Sequence, residues 1–67
     1  MTIDHERLLN AMESRMEEMG LNQQQACDQM GLSTGIFRRL KHYKKMYVET
    51  YAIIINWLRA DLKEYLV

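Results

Sequence analysis

The sequence has no proline and only three glycines, so very little in it interrupts regular structure. Strong helix formers (Met, Gln, Leu, Glu, Lys) fill the space that breakers leave, and the composition predicts an all-α fold. A single cysteine, Cys27, excludes an intramolecular disulfide, and one thiol cannot organise a metal site. Long apolar runs are missing too. The longest is residues 51–55, far short of the roughly 20 residues that cross a bilayer. The first residues are charged from Asp4 onward, unlike a secretory signal. These absences predict a soluble, cytoplasmic protein with no membrane association. Size excludes more: 67 residues make one domain, 1–67, and a chain this short buries only about 60% of its unfolded surface. That leaves no spare core for a deep pocket, so no small-molecule effector and no cofactor are expected.

Net charge is zero, but its distribution is uneven. Residues 1–30 hold two arginines against six carboxylates, a net of −4. Residues 31–67 hold seven cations against three carboxylates, a net of +4, and five of the seven fall between Arg38 and Lys45. A one-sided electropositive face of this kind steers polyanions even when the total is neutral.

Periodicity predicts four helices, or five if the last is interrupted. In residues 4–19, Leu8, Leu9, Met12, Met16 and Met19 recur at three- and four-residue steps, with Glu13, Glu17 and Glu18 on a face expected to point to solvent. Asp4 is the expected cap, His5 a surface residue of the first turn, and Gly20 the stop. Asn22 with Gln25 fits a capping box for a second helix over 23–30, ended by Gly31. A third runs from Thr34 to about Lys41 with Ser33 as its cap. Phe37 and Leu40 face inward there; Gly35, Arg38, Arg39 and His42 face outward, with Thr34 and Ile36 on the flanks. The last segment, about 49–66, carries the stripe Tyr51, Ile54, Ile55, Leu58, Leu62, Tyr65 and Leu66. It either runs as one long helix or pauses near residues 59–61 and restarts.

Two short helices joined by a glycine-containing turn make a helix-turn-helix unit over 22–41. A small residue is needed where the helices approach, and Cys27 fills that place. Ala26, Met30, Leu32, Phe37 and Leu40 fill the angle between them. The ordered set Leu21-Asn22-Gln23, Ala26-Cys27, Met30-Gly31-Leu32-Ser33 and Phe37-x-x-Leu40 resembles the lambda-repressor-like (Cro/C1, or XRE) DNA-binding domains. Glu49-Thr50-Tyr51 through Ile54, Ile55 and Leu58 resembles that family's fourth helix, so the likeness spans about residues 3–60.

The resemblance implies a compact lambda-repressor-like domain and a double-stranded DNA operator as partner. It implies base contacts from Thr34, Gly35, Arg38 and Arg39. It implies phosphate contacts from Asn22 and Gln23 and from His42, Tyr43, Lys44 and Lys45, to which the residues themselves add Ser33 and Lys41. Two departures alter the expected chemistry. The arginine–glutamate pair common in the family is replaced by Met16 and Lys41, which frees Lys41 for phosphate. Gly35 stands where the family tends to carry a long polar reader, which shifts base recognition to Arg38, Arg39 and Thr34, with the Thr34 methyl or Ile36 available to a thymine methyl.

Simpler roles compete for several residues. A basic run is usually a solvated face; here the two helices before it favour DNA. Cys27 is a small buried packing residue, and Met12, Met16, Met19 and Met30 are core filler. Tyr43 and Tyr47 either donate to phosphate or pack on the last helix. Ile53, Trp57, Leu62, Tyr65 and Leu66 exceed the apolar surface that three short helices can cover, and predict a two-fold homodimer. The expected function is a Cro-like repressor. The alternative is an interaction module that keeps the fold but uses its helices on a protein partner. No carboxylate pair, nucleophile–base pair or metal-ligand cluster supports an enzyme.

Overall fold

Each helix begins and ends where local hydrogen bonding closes it. In the computed structural model, which describes residues 2–67, α1 spans His5–Met19, α2 Gln23–Met30, α3 Gly35–Lys41 and α4 Val48–Trp57. A single 3-10 turn, Leu62–Tyr65, follows. Among the described residues there is no strand; the nearest approach is one antiparallel bridge between Ile3 and Leu66. The Cα radius of gyration is 10.9 Å, the value of about 11 Å expected when 67 residues pack fully.

Side-chain caps start three of these elements. Asp4 accepts the Arg7 N–H at 3.1 Å. Asn22 and Gln25 form a full capping box, with Asn22 Oδ1 accepting the Gln25 N–H at 2.8 Å and Gln25 Oε1 accepting the Asn22 N–H at 2.9 Å. Asp61 and Glu64 build a second box ahead of the 3-10 turn. Helix α3 differs: it starts at Gly35 behind Thr34, and neither Thr34 nor Ser33 caps it with a side chain. The expectation for Ser33 fails because its backbone carbonyl takes the work, accepting from Ile36 N at 3.3 Å and from the Cys27 thiol at 3.5 Å.

All four helices end in one way. A backbone amide just past each helix reaches back five positions: Leu21 to Met16, Leu32 to Cys27, Lys44 to Arg39 and Ala60 to Ile55, at 2.8–3.2 Å. This Schellman closure needs a left-handed residue at its corner. Gly20 and Gly31 supply it for α1 and α2, at φ 68° and 72°. Tyr43 (φ 56°) and Arg59 (φ 55°) supply it for α3 and α4. A side chain in that region costs about 1–2 kcal/mol, so packing elsewhere must hold both turns.

The reversal at Arg59 replaces the single long helix over 49–66 with the interrupted form. It turns the chain back onto the start of α1, where the Tyr65 carbonyl accepts Asp4 N and the Thr2 carbonyl accepts Val67 N at 2.8 Å. The Arg7 guanidinium lies 6.0 Å from the Tyr65 ring centroid. No helix among the described residues is long and apolar enough to cross a membrane.

The core joins Leu8, Met12 and Met16 of α1, Ala26, Cys27 and Met30 of α2, Ile36, Phe37 and Leu40 of α3, and Tyr51, Ile54 and Ile55 of α4. Helix α1 packs across α3 and against the 3-10 turn, and α2 packs on α4. Cys27 is fully buried, as expected, and burial followed by the nearby Asp28 charge pushes its thiol pKa up. Two residues lie deeper than expected. Ile36 is buried because α3 is so short that Ile36, one turn from Leu40, must share its inward face. His5 is buried rather than exposed, because its Nε2 reaches the Tyr51 hydroxyl of α4 at 2.7 Å.

Arg59→Gly relieves a left-handed side chain at an exposed corner. It should raise stability by about 1 kcal/mol in urea denaturation. A loss of stability would show that the Arg59 side chain holds the turn.

Candidate nucleic-acid interface

Helix α3 projects its unburied side as a ridge. With Ile36, Phe37 and Leu40 inward, the helical step of 100° per residue centres the outward side on Arg38, with Gly35 and the capping His42 beside it. Arg39 falls on one flank, and Thr34 and Lys41 on the other. All of these are exposed.

A cleft opens on each side of the ridge. One is lined by Leu9 and Glu13 of α1, Gln23 at the start of α2, and Thr34, Gly35, Phe37, Arg38, Lys41 and His42. The other is lined by Gly35, Arg38, Arg39, His42, Lys44 and Lys45. Gly35, Arg38 and His42 belong to both, which makes them the crest. Besides Arg38 on it, four cations flank it: Arg39, Lys41, Lys44 and Lys45. Among the described residues the side-chain hydrogen bonds join other groups, so these cations remain open to a ligand. Three of them, Arg38, Arg39 and Lys41, occupy the last turn of α3, where they also offset the negative end of the helix dipole.

The remaining expected residues fall into place unequally. Gln23 opens α2 and lines the first cleft, with its backbone N–H facing outward at a helix N-terminus. Asn22 beside it is committed to the capping box through both Oδ1 and its N–H, leaving only its side-chain amide for another partner. Ser33 and Thr34 lie in the exposed turn between the helices. Tyr43 is exposed and lies parallel to the His5 ring, centroids 6.3 Å apart. Tyr47, expected at phosphate or on the last helix, is 81% exposed and immediately precedes α4.

Glu13, expected simply on a solvent-facing side of α1, also borders this surface. It follows Leu9 by four residues, so the packing of α1 on α3 brings both to the first cleft. A carboxylate there leaves this cleft less electropositive than the one bordered by Lys44 and Lys45. Ile36, expected on the flank of this surface, is buried and withdrawn from it.

The residues expected at a dimer interface separate into two groups. Ile53 and Leu62 are exposed. Trp57 is half-buried, donating Nε1–H to Gln29 Oε1 at 3.0 Å with the Arg15 guanidinium 5.3 Å over its ring. Tyr65 and Leu66 are half-buried and pack on the core or pair with Ile3. Leu62 and Leu66 instead border an apolar groove with Val48, Ala52 and Asn56. Val48, missed in the sequence, is 82% exposed; it sits outside the apolar stripe, and only its exposure marks it.

No cluster of three or more His, Cys, Asp or Glu at metal-binding geometry occurs among the described residues. Comparison with known proteins finds no matching family model, no similar curated protein and no similar solved structure.

At Gly35 the backbone is not left-handed, and an added Cβ would meet only Ser33 Oγ, at an ordinary 3.6 Å. Gly35→Ala should therefore raise stability by about 0.5–1 kcal/mol, read as a shifted denaturation midpoint. A destabilised variant would mean that the fold itself requires glycine here.

Proposed function

We propose that this protein is a sequence-specific, double-stranded DNA-binding transcriptional regulator of the lambda-repressor-like helix-turn-helix class, acting as a small Cro-like repressor. The observation that carries the reading is the crest of Gly35, Arg38 and His42, with open cations in the clefts on both sides. A major groove about 12 Å wide admits one helix between two phosphate strands. The crest enters the groove. Gln23 and Lys41 then meet one backbone and Lys44 and Lys45 the other, each neutralised phosphate releasing counterions.

Base recognition rests on the crest. The Arg38 guanidinium matches the O6/N7 edge of guanine as a bidentate fork, worth roughly 1–3 kcal/mol of discrimination. Arg39 reads or contacts phosphate from the flank, and the Thr34 methyl suits a thymine methyl. Gly35 carries no side chain, which lets the helix backbone approach the base edges. Two units joined as a homodimer would read a pseudo-palindrome with half-sites about one helical turn apart. Ile53 and Leu62 are the exposed members of the proposed interface, alongside Trp57, Tyr65 and Leu66.

Selection from random DNA should return a symmetric site, and the affinity for it should fall steeply with salt. Arg38→Ala is expected to relax preference at one position of that site. Lys44→Ala should weaken all DNA alike and lower the log–log salt slope by about one. Gly35→Ala, stable as a fold, should still lose DNA affinity. Equal losses on selected and random DNA for Arg38→Ala would remove Arg38 as a base reader. Light scattering should show a dimer at micromolar concentration; a monomer with and without DNA would refute the two-fold assembly.

A further inference from the structure

Residues 43–47 carry Tyr43, Lys44 and Lys45, half of the cationic surface beside the crest. Too short for a helix and without a strand partner, this segment has few hydrogen bonds to define it. It starts at the Schellman closure of α3, through Tyr43 N to Leu40 O at 3.3 Å and Lys44 N to Arg39 O at 2.8 Å. The corner residue there is a tyrosine in left-handed backbone, a conformation that persists only where surrounding structure holds it.

The Tyr43 side chain, 65% exposed, lies beside one buried imidazole. The Tyr43 ring lies parallel to His5, centroids 6.3 Å apart and planes within 5°. His5 is 93% withdrawn from solvent, its Nε2 is 2.7 Å from the Tyr51 hydroxyl, and its Nδ1 is buried without a hydrogen-bond partner. The same Tyr51 oxygen accepts the backbone N–H of Met46 at 3.2 Å. The Tyr51 hydroxyl bonds His5 Nε2 and the Met46 N–H at once, joining the imidazole to the segment. The imidazole thus grips the segment at two points, Tyr43 through its ring face and Met46 through the Tyr51 hydroxyl. Lys44 and Lys45 lie between those points. Lys45 lines the small cavity bounded by Thr2, Ile3, His5, Tyr43, Met46 and Tyr51.

We infer that His5 and Tyr51 are positioning residues for the phosphate grip: they fix residues 43–47 so that Lys44 and Lys45 stand beside the crest, although neither His5 nor Tyr51 is placed to meet DNA. The inference rests on the DNA-binding reading and adds to it a remote control of affinity. It explains why a tyrosine is tolerated where α1 and α2 use glycine. It also gives a role to a histidine that core packing alone does not require.

The test compares wild type with His5→Leu, His5→Gln, Tyr51→Phe and Tyr43→Gly in salt titrations on selected and random duplexes, well below each variant's Tm. His5→Leu removes the polar grip and the ring, and Tyr51→Phe removes only the hydroxyl. Both should weaken all DNA about tenfold and lower the salt slope by one to two, as two phosphate contacts lose their register. His5→Gln keeps a hydrogen-bonding group toward Tyr51 and should recover part of the slope. Tyr43→Gly eases the corner but removes the stacked ring, so it should fold as stably as wild type and still bind DNA less tightly. Should His5→Leu fail to fold by circular dichroism, Tyr51→Phe and Tyr43→Gly decide the matter. Unchanged slopes and affinities in those variants, with wild type binding normally, would overturn the positioning role. A wild type that binds no DNA at low salt gives a different result and overturns the proposed function itself.

Discussion

A seven-residue helix forms too few internal hydrogen bonds to persist by itself, and α3 is that short. Its existence depends on burying Ile36, Phe37 and Leu40 in the common core with Leu8, Met12 and Met16 of α1. Three of its seven residues are therefore given to the core, and the other four, Gly35, Arg38, Arg39 and Lys41, are turned outward by helical geometry. The same burial that forms the helix also aims its cations. Helix α2, at eight residues, is under the same constraint and meets it with a full capping box and its contact with α4.

Chain reversal is the second constraint. Without proline and with few glycines, the molecule reverses direction four times by the same backbone closure. At Gly20 and Gly31 the corner is cheap. At Tyr43 and Arg59 it is strained, and there the chain returns toward α1. Tyr43 lies parallel to the His5 ring; the turn at Arg59 brings Tyr65 and Leu66 beside Asp4 and Ile3. Both strained corners lead to contacts with the first residues of α1, which makes that end of the molecule a hub linking the basic segment, α4 and the C-terminal turn.

Charge follows the same organisation. The cations of α3 and of residues 43–47 gather around one crest, while Glu13 borders one of the two clefts. A neutral protein thus presents a locally basic surface whose one acidic border makes the two sides unequal. In the DNA reading, that asymmetry assigns more of the phosphate contact to Lys44 and Lys45, and makes the placement of residues 43–47 matter more than net charge suggests.

Local signals in the sequence were sufficient for whatever depends on neighbours in the chain. Helical periodicity, the Asp4 and Asn22 caps and the stops at Gly20 and Gly31 defined α1 and α2. They also placed α3 to within one residue and turned Gly35, Arg38, Arg39 and His42 outward. Tertiary structure decided what depends on distant residues. His5 is buried because Tyr51, 46 positions away, offers it a hydroxyl. Ile36 turns inward because it shares with Leu40 the face that α3 buries against α1. The last helix ends at Trp57 because Arg59 accepts a strained φ that no local residue type announces. Glu13 reaches the clefts only through the crossing of α1 and α3. Caps and glycine stops act within a few residues and can be read in order along a chain. Burial and a left-handed side chain are balanced by partners far away in sequence, and only the packed fold supplies them.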